Sequence, residues 1–225
     1  MDLKFRHEVK HAISPSDKVA IEQRLDAVAQ RDSHAVNGIY EIRSLYFDDI
    51  YDRALRRKAD GVSRREKFRI RYYGEDISLI HLEKKSKIDG LCNKQSCRLD
   101  AQEAQRLVDG DLSWMLSCAD RPLVRELYVK MRSAGLRPMT IVDYTRVPFV
   151  YAPGNVRVTI DYNIRTGLKC TDFLNRACVT VPAADGRILL EVKWDEFLPD
   201  IIRSAVQLGR TAGGFSKYEA CRIYG

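Results

Sequence analysis

Charge and bulk alternate along several stretches of this chain, and the alternation limits what it can fold into. In Lys67-Phe68-Arg69-Ile70-Arg71 three cations fall on one side of an extended chain and two apolar side chains on the other, because strand side chains alternate with a period of two. Leu82-Glu83-Lys84-Lys85, Val156-Arg157-Val158-Thr159-Ile160-Asp161 and Leu189-Leu190-Glu191-Val192-Lys193-Trp194 alternate in a similar way. A single charged strand face is ordinarily a solvated face. Several on separate strands, once they converge, make a concave charged site that suits a polyanion.

The charge balance points the same way. A formal net charge of +7 over 225 residues favours a negatively charged partner, without ranking nucleic acid, phosphate compounds and anionic lipid. With 45% hydrophobic and 31% charged residues the chain is globular in composition, and its length suits one domain over residues 1–225. The stretch Met1-Asp2-Leu3-Lys4-Phe5-Arg6-His7 has no apolar core of signal-peptide length, and nothing approaches the roughly 20 apolar residues of a bilayer span, so a soluble cytoplasmic protein with no membrane segment of its own is expected. The cysteines at 92, 97, 118, 170, 178 and 221 form no CxxC pair and the histidines are scattered, which argues against structural zinc and predicts reduced thiols.

Strand signals lie near residues 3 to 11, 41 to 48, 64 to 73, 77 to 86, 92 to 99, 139 to 147, 156 to 165 and 187 to 195, enough to close a sheet. Tyr73-Gly74-Glu75-Asp76 and Lys87-Ile88-Asp89-Gly90 read as hairpin turns, so the connections are antiparallel. Ser14-Pro15-Ser16-Asp17 opens a helix to about Gln30. Asp100 caps a short one through Leu107, Asp120-Arg121-Pro122 opens one that stops at Gly135, and a fourth spans about Pro199 to Leu208. If the apolar strand faces pack against these helices, the charged faces point to solvent or into the lumen of a closed barrel. The lumen is favoured because Glu83, Asp161 and Glu191 share parity with Arg and Lys, as a site for metal plus anion requires, and because arginine suits bidentate phosphate recognition.

The ordered series Arg6-His7-Glu8-Val9-Lys10, Arg43-Ser44-Leu45-Tyr46-Phe47-Asp48, Lys67 to Arg71, Leu82 to Lys85, Asp143-Tyr144-Thr145-Arg146, Arg157 to Asp161, Leu190 to Lys193 and Phe215-Ser216-Lys217-Tyr218 resembles the VTC domain. That domain is the polyphosphate polymerase of the vacuolar transporter chaperone family, within the triphosphate tunnel metalloenzymes. The resemblance implies an α+β fold built on a closed antiparallel β-barrel of about eight strands, a tunnel flanked by several helices. It implies phosphate ligands at Lys10, Arg43, Arg69, Arg71, Lys85, Arg146, Arg157, Lys193 and Lys217, a weaker basic pair at Lys94 and Arg98, and hydroxyl donors at Tyr144 and Ser216. Arg69, Arg71, Lys85, Arg146 and Lys217 carry the catalytic role in that reading, and Glu191 holds a divalent metal, manganese or magnesium. The partners implied are ATP and inorganic polyphosphate or triphosphate. Coupling synthesis to translocation would need an unknown membrane partner.

Two departures stand out. The first strand of the wider superfamily often carries two glutamates and a lysine at alternate positions, whereas here the first is Arg6, which weakens a hydrolase reading because fewer acids remain to activate water. Some polymerases have a lysine just before the Phe-Ser-Lys motif, where this chain has Gly214. Other charges read as ordinary surface: Lys84 and Lys87 as solvated or loop charges, Arg64 and Arg65 as rim. Glu8 reads as a metal ligand or as the partner of Lys10, and Asp161 as the partner of Arg157. Tyr46, Phe47, Trp194 and Phe197 read as core or barrel-end packing. Because the lumen is read as a cluster of like charges, loss of Arg69 or Arg71 is expected to leave stability unchanged or raised. Three functions stay open: a polymerase making polyphosphate from ATP, a triphosphate or nucleoside triphosphate hydrolase, and a non-catalytic polyphosphate or inositol-phosphate sensor. Nucleic-acid binding is disfavoured because the aromatics do not interleave with the basic residues.

Overall fold

The computed structural model describes residues 5–209 and 212–223. Residues 3 and 4 of the first predicted strand therefore lie outside the described residues. In chain order the elements are β1 (Phe5–Ile13), α1 (Pro15–Val28), β2 (Gln30–Arg31), β3 (Tyr40–Asp48), α2 (Arg53–Ala59), β4 (Arg65–Tyr73), β5 (Asp76–Ile88), β6 (Leu91–Leu99), α3 (Ala101–Val108) and α4 (Pro122–Ala134). They continue with β7 (Arg137–Tyr151), β8 (Val156–Thr166), β9 (Val181–Pro182), β10 (Ile188–Trp194), α5 (Asp200–Ala205) and α6 (Lys217–Arg222).

Local chemistry sets most boundaries. At α1 the Ser14 hydroxyl accepts from the Asp17 amide while the Asp17 carboxylate accepts from the Ser14 amide, and Pro15 begins the helix. The helix ends at Val28, before the predicted Gln30, because Gln30 and Arg31 pair with Val150 and Phe149 of β7. Asp100 and Glu103 cap α3 reciprocally, and Gly135 ends α4 at a φ of 66°. Asp89 and Gly90 both adopt positive φ in the β5–β6 hairpin, as the tight turn requires. The fourth predicted helix is shorter than expected, stopping at Ala205.

The strands run β7-β3-β4-β5-β6-β1-β10-β8, and β8 pairs back onto β7, which closes an eight-stranded antiparallel barrel. The short β2 and β9 extend it at β7 and β8. Outward side chains bury in two clusters. Leu45, Phe68, Ile70 and Leu82 pack beneath α3 and α4, with Ala104, Leu107, Val124 and Leu127 facing them. On the other side Ile21 and Leu25 of α1 and Ile202 of α5 cover Phe149, Val158, Ile160 and Val192. Charged residues of the opposite parity are left facing the lumen, as the alternation requires. A third cluster fills one end of the barrel, where Tyr218 and Cys221 of α6 meet Ile42, Tyr46, Val142 and Tyr144.

Two helices escape the sequence signal. α2 buries no side chain and has no apolar face; it is held by Asp48, whose carboxylate accepts from the Ala54 and Leu55 amides at 2.8 and 3.1 Å. α6 is only six residues long, is capped by Ser216 and is anchored by Tyr218, whose hydroxyl donates to Asp48 at 2.9 Å. Among the described residues the barrel seam is thinnest between β1 and β6, which pair at Phe5 with Asn93 and at Arg6 with Cys92.

Candidate functional site

The register places complementary charges opposite one another inside the barrel. Arg69 of β4 faces Glu83 of β5 on one side and Tyr46 of β3 on the other. The Glu83 carboxylate, 2% exposed, accepts from Arg69 Nε at 2.7 Å and Nη2 at 2.5 Å, and pairs with Lys94 at 2.5 Å. Arg69 also donates to the Tyr46 hydroxyl at 2.8 Å. Arg71, equally buried, donates to Ser44 Oγ at 3.1 and 3.2 Å and to the Tyr144 hydroxyl at 2.8 Å.

On the facing wall Asp161 of β8 is fully buried. It accepts from Arg146 Nε and Nη2 at 2.6 and 2.8 Å and from Lys217 of α6 at 2.5 Å. The Lys217 ammonium also lies 4.6 Å from the centre of the Tyr144 ring. Between these walls β1 and β10 supply Glu8 and Glu191. Lys10 lies 3.4 Å from each, Lys193 lies 3.6 Å from Glu8 and 3.1 Å from Glu191, and Lys85 of β5 reaches across to Glu8 at 2.6 Å. Arg146 approaches Glu191 at 3.6 Å, joining the groups into one network.

A buried carboxylate loses several kcal/mol of hydration and persists only where cations replace water. Glu83, Asp161 and Glu191 are placed where each is surrounded by cations, and all three are held well below the usual carboxylate range, burial being outweighed by those neighbours. The cations outnumber the acids, so some go short. Burial pushes the Lys193 ammonium down to about 8, with Lys85 and Arg146 adding repulsion, although Glu191 stands beside it. Lys67, whose side chain contacts the Ser216 hydroxyl at 3.3 Å, is likewise pushed down to about 8 by burial. For Tyr46, burial raises the phenol but Arg69, Arg71 and Lys217 outweigh it and bring it down to about 8.

These lysines give opposite pH signs to stability and to binding. With a folded pKa near 8 and an unfolded value near 10.4, Lys193 and Lys67 hold fewer protons folded than unfolded between those limits, so their contribution to stability rises with pH there. An anion bound in the lumen needs both charged. Triphosphate affinity should therefore fall about tenfold or more from pH 7 to pH 9.5, with net proton uptake on binding, measured calorimetrically in buffers of different ionisation heat. Binding without pH dependence in that window would remove both lysines from the site.

Of the residues proposed from sequence, Lys10, Arg69, Arg71, Lys85, Lys94, Arg146, Lys193, Lys217, Tyr144 and Glu191 meet in this network, and Ser216 touches its edge through Lys67. Three do not. Arg43 lies on the outer face, paired with Asp143 through two hydrogen bonds of 3.0 and 2.9 Å, because it shares parity with the buried Leu45 and Phe47. Arg98 is exposed and donates to the Ser78 carbonyl. Arg157 stands at the rim on Asp32, so Asp161 serves Arg146 and Lys217 rather than Arg157. Lys67 and Tyr46 belong to the lumen yet were absent from the proposed set. Lys67 shares the parity of Arg69 and Arg71, a signal that was available, and Tyr46 combines packing on Tyr218 with its bond to Arg69.

A divalent metal fits this site in part. Glu8 and Glu191 converge on the same ammonium groups, but no cluster of three or more His, Cys, Asp or Glu side chains suited to a metal occurs among the described residues. A hard cation here would take one or two carboxylates and complete its shell with phosphate oxygens and water, as magnesium commonly does.

The whole of this framework matches a known family model: residues 5–223 fit the VTC domain. The chain belongs to the VTC domain family. Solved structures that resemble this VTC domain include a Bacillus halodurans protein described as a candidate adenylate cyclase, at 12% identity and a TM-score of 0.47, covering 86% of this chain and 82% of that one. Two Pyrococcus horikoshii proteins, PH1012 and PH1819, are each 12% identical, with TM-scores of 0.43 and 0.45; each match covers 89% of this chain, and 85% and 84% of theirs. No curated protein sequence matches at a significant level. Family and lumen together support a VTC-domain tunnel that binds triphosphate or transfers phosphoryl groups. No helix among the described residues is long and apolar enough to cross a membrane.

Proposed function

We propose that the protein is a metal-dependent phosphoryl transferase that builds inorganic polyphosphate from ATP. The observation that carries the reading is the single network in which cations from six barrel strands and α6 surround one lumen, linked by Arg146 at Glu191 and Lys85 at Glu8. ATP lays its phosphates along these cations, and the terminal oxygen of an acceptor phosphate attacks the γ-phosphorus in line as the bond to the β-phosphate oxygen breaks and ADP leaves. Arg69, Arg71, Lys85, Arg146 and Lys217 offset the charge that develops on the transferred group, the more strongly because all but Lys85 are largely buried. Lys10, Lys193 and Tyr144 position the chain. Glu191, with Glu8 beside it, would hold a manganese or magnesium ion that supplies Lewis-acid charge stabilisation when bound. Translocation of the product would need a membrane partner.

Hydrolysis of triphosphate is the second reading, favoured by the approach of both Glu8 and Glu191 to Lys10. Incubating the purified chain with ATP and manganese or magnesium, and resolving the products by size, separates the possibilities. A ladder of polyphosphates is expected. Orthophosphate alone would replace the polymerase with a hydrolase, and binding without turnover would leave a sensor.

A further inference from the structure

The paired network does not account for every cation on the inner faces of β4 to β6. Lys67, Lys85 and Lys94 sit side by side across three strands, and in the next row Arg65 lies directly opposite Lys87. Like charges opposed on one sheet face lie about 5 Å apart and destabilise the pairing. In the deeper rows this is relieved by Glu83 and by Glu8. For Arg65 and Lys87 no ion pair exists among the described residues; Arg65 donates only to the Val62 carbonyl. Just before Arg65 the chain runs beside α2, where the Val62 amide donates to the Arg57 carbonyl and the side chains of Arg56 and Arg57 are exposed.

These cations lie at the end of the barrel that also holds α6, but on its other side. Tyr218 and Cys221 pack on β3, β7 and β8, whereas Lys85 and Lys94 keep 38% and 54% of their side chains exposed. The basic half of that mouth is thus open to solvent, and it is held in place: α2 is capped by Asp48 and bridged to α6 by Lys58 and Glu219.

We propose that Arg65 and Lys87, with Arg57 beyond them, form a track outside the tunnel that binds the emerging part of a long polyphosphate chain. Cations two residues apart on β4 are about 7 Å apart, so a flexible polyanion leaving the Lys67 row meets a positive group at each step. This inference rests on the tunnel holding phosphate chains. It adds that affinity grows with chain length beyond the few phosphates the lumen contains.

The test compares triphosphate with polyphosphate several tens of phosphates long, on wild type and on Arg65→Gln/Lys87→Gln, by calorimetry over a range of salt. Wild type should bind the long chain at least tenfold more tightly. The double variant should keep its triphosphate affinity within twofold, melt at or above the wild-type temperature because the opposed like charges are gone, lose tenfold or more in long-chain affinity, and show a shallower salt dependence for the long chain, as expected when cation contacts are removed. Equal weakening for both ligands would make these residues part of the tunnel field. No weakening for either, no preference of wild type for length, or equal competition by single-stranded DNA would each leave the track a solvated face and overturn the proposal. Failure of triphosphate to bind wild type would instead sink the tunnel reading itself.

Discussion

Arg71→Ala should abolish triphosphate binding and lower the melting temperature by roughly 10 °C. The expectation from sequence had the opposite sign for stability, since removing one cation from a cluster of like charges relieves repulsion. The lumen is not such a cluster. Arg71 is 2% exposed and fills a site bounded by Ser44, Tyr144 and Glu83, the last at 3.9 Å. Truncation leaves a cavity, two buried hydroxyls short of a donor and a buried carboxylate with one cation fewer. Breaking a buried charged network costs about 3–5 kcal/mol, and each kcal/mol moves the melting point of a domain of this size by about 2–4 °C. Differential scanning calorimetry beside triphosphate titration reads both effects. Arg71→Met, which refills the volume without charge, should recover part of the stability and none of the binding. An alanine variant that melts with wild type would restore the picture of mutually repelling cations.

Glu191→Gln should still bind polyphosphate, at least as tightly as wild type, but lose metal-dependent turnover by about a hundredfold or more, the several kcal/mol that charge stabilisation by a metal supplies. The substitution keeps the shape and removes a carboxylate that lies within 4.0 Å of Lys10, Lys85, Lys193 and Arg146 together. Without it these cations repel, so the ligand-free variant should melt lower. Added triphosphate, by replacing the lost negative charge, should raise its melting point more than it raises that of wild type. Calorimetry and single-turnover kinetics with manganese check the two halves separately. Wild-type turnover at unchanged metal dependence would transfer the metal role to Glu8 or Glu83.

The eight barrel strands were readable because period-two alternation is strong wherever one face is buried and the other charged, as in Lys67 to Arg71 and Leu189 to Lys193. The same rule, applied strictly, places Arg43 outside with Leu45 and Phe47, and separates Asp161 from Arg157 by four residues of strand, about 13 Å, too far to pair. Parity decides the first case, and the rise along the strand decides the second, since Arg157 and Asp161 share a face. α2 and α6 had no such signal. One lacks an apolar stripe and the other is under two turns long, so each exists through contacts with Asp48 at the end of β3.

Composition and alternation determined that this chain builds a sheet with one charged face, rich in arginine and lysine and dotted with acids, and the ordered motifs named its family. Which acid answers which cation was decided only when the barrel closed. Glu8 meets Lys85 77 residues away, Lys217 of α6 meets Asp161 56 residues away, and Arg146 of β7 reaches Glu191 of β10 across β8, whereas Arg146 and Asp161 already face each other within the β7–β8 hairpin. Periodicity specifies the face a side chain occupies. The partner across the lumen depends on stagger and strand order, which are set by the packing of the whole ring and leave no mark on any one segment.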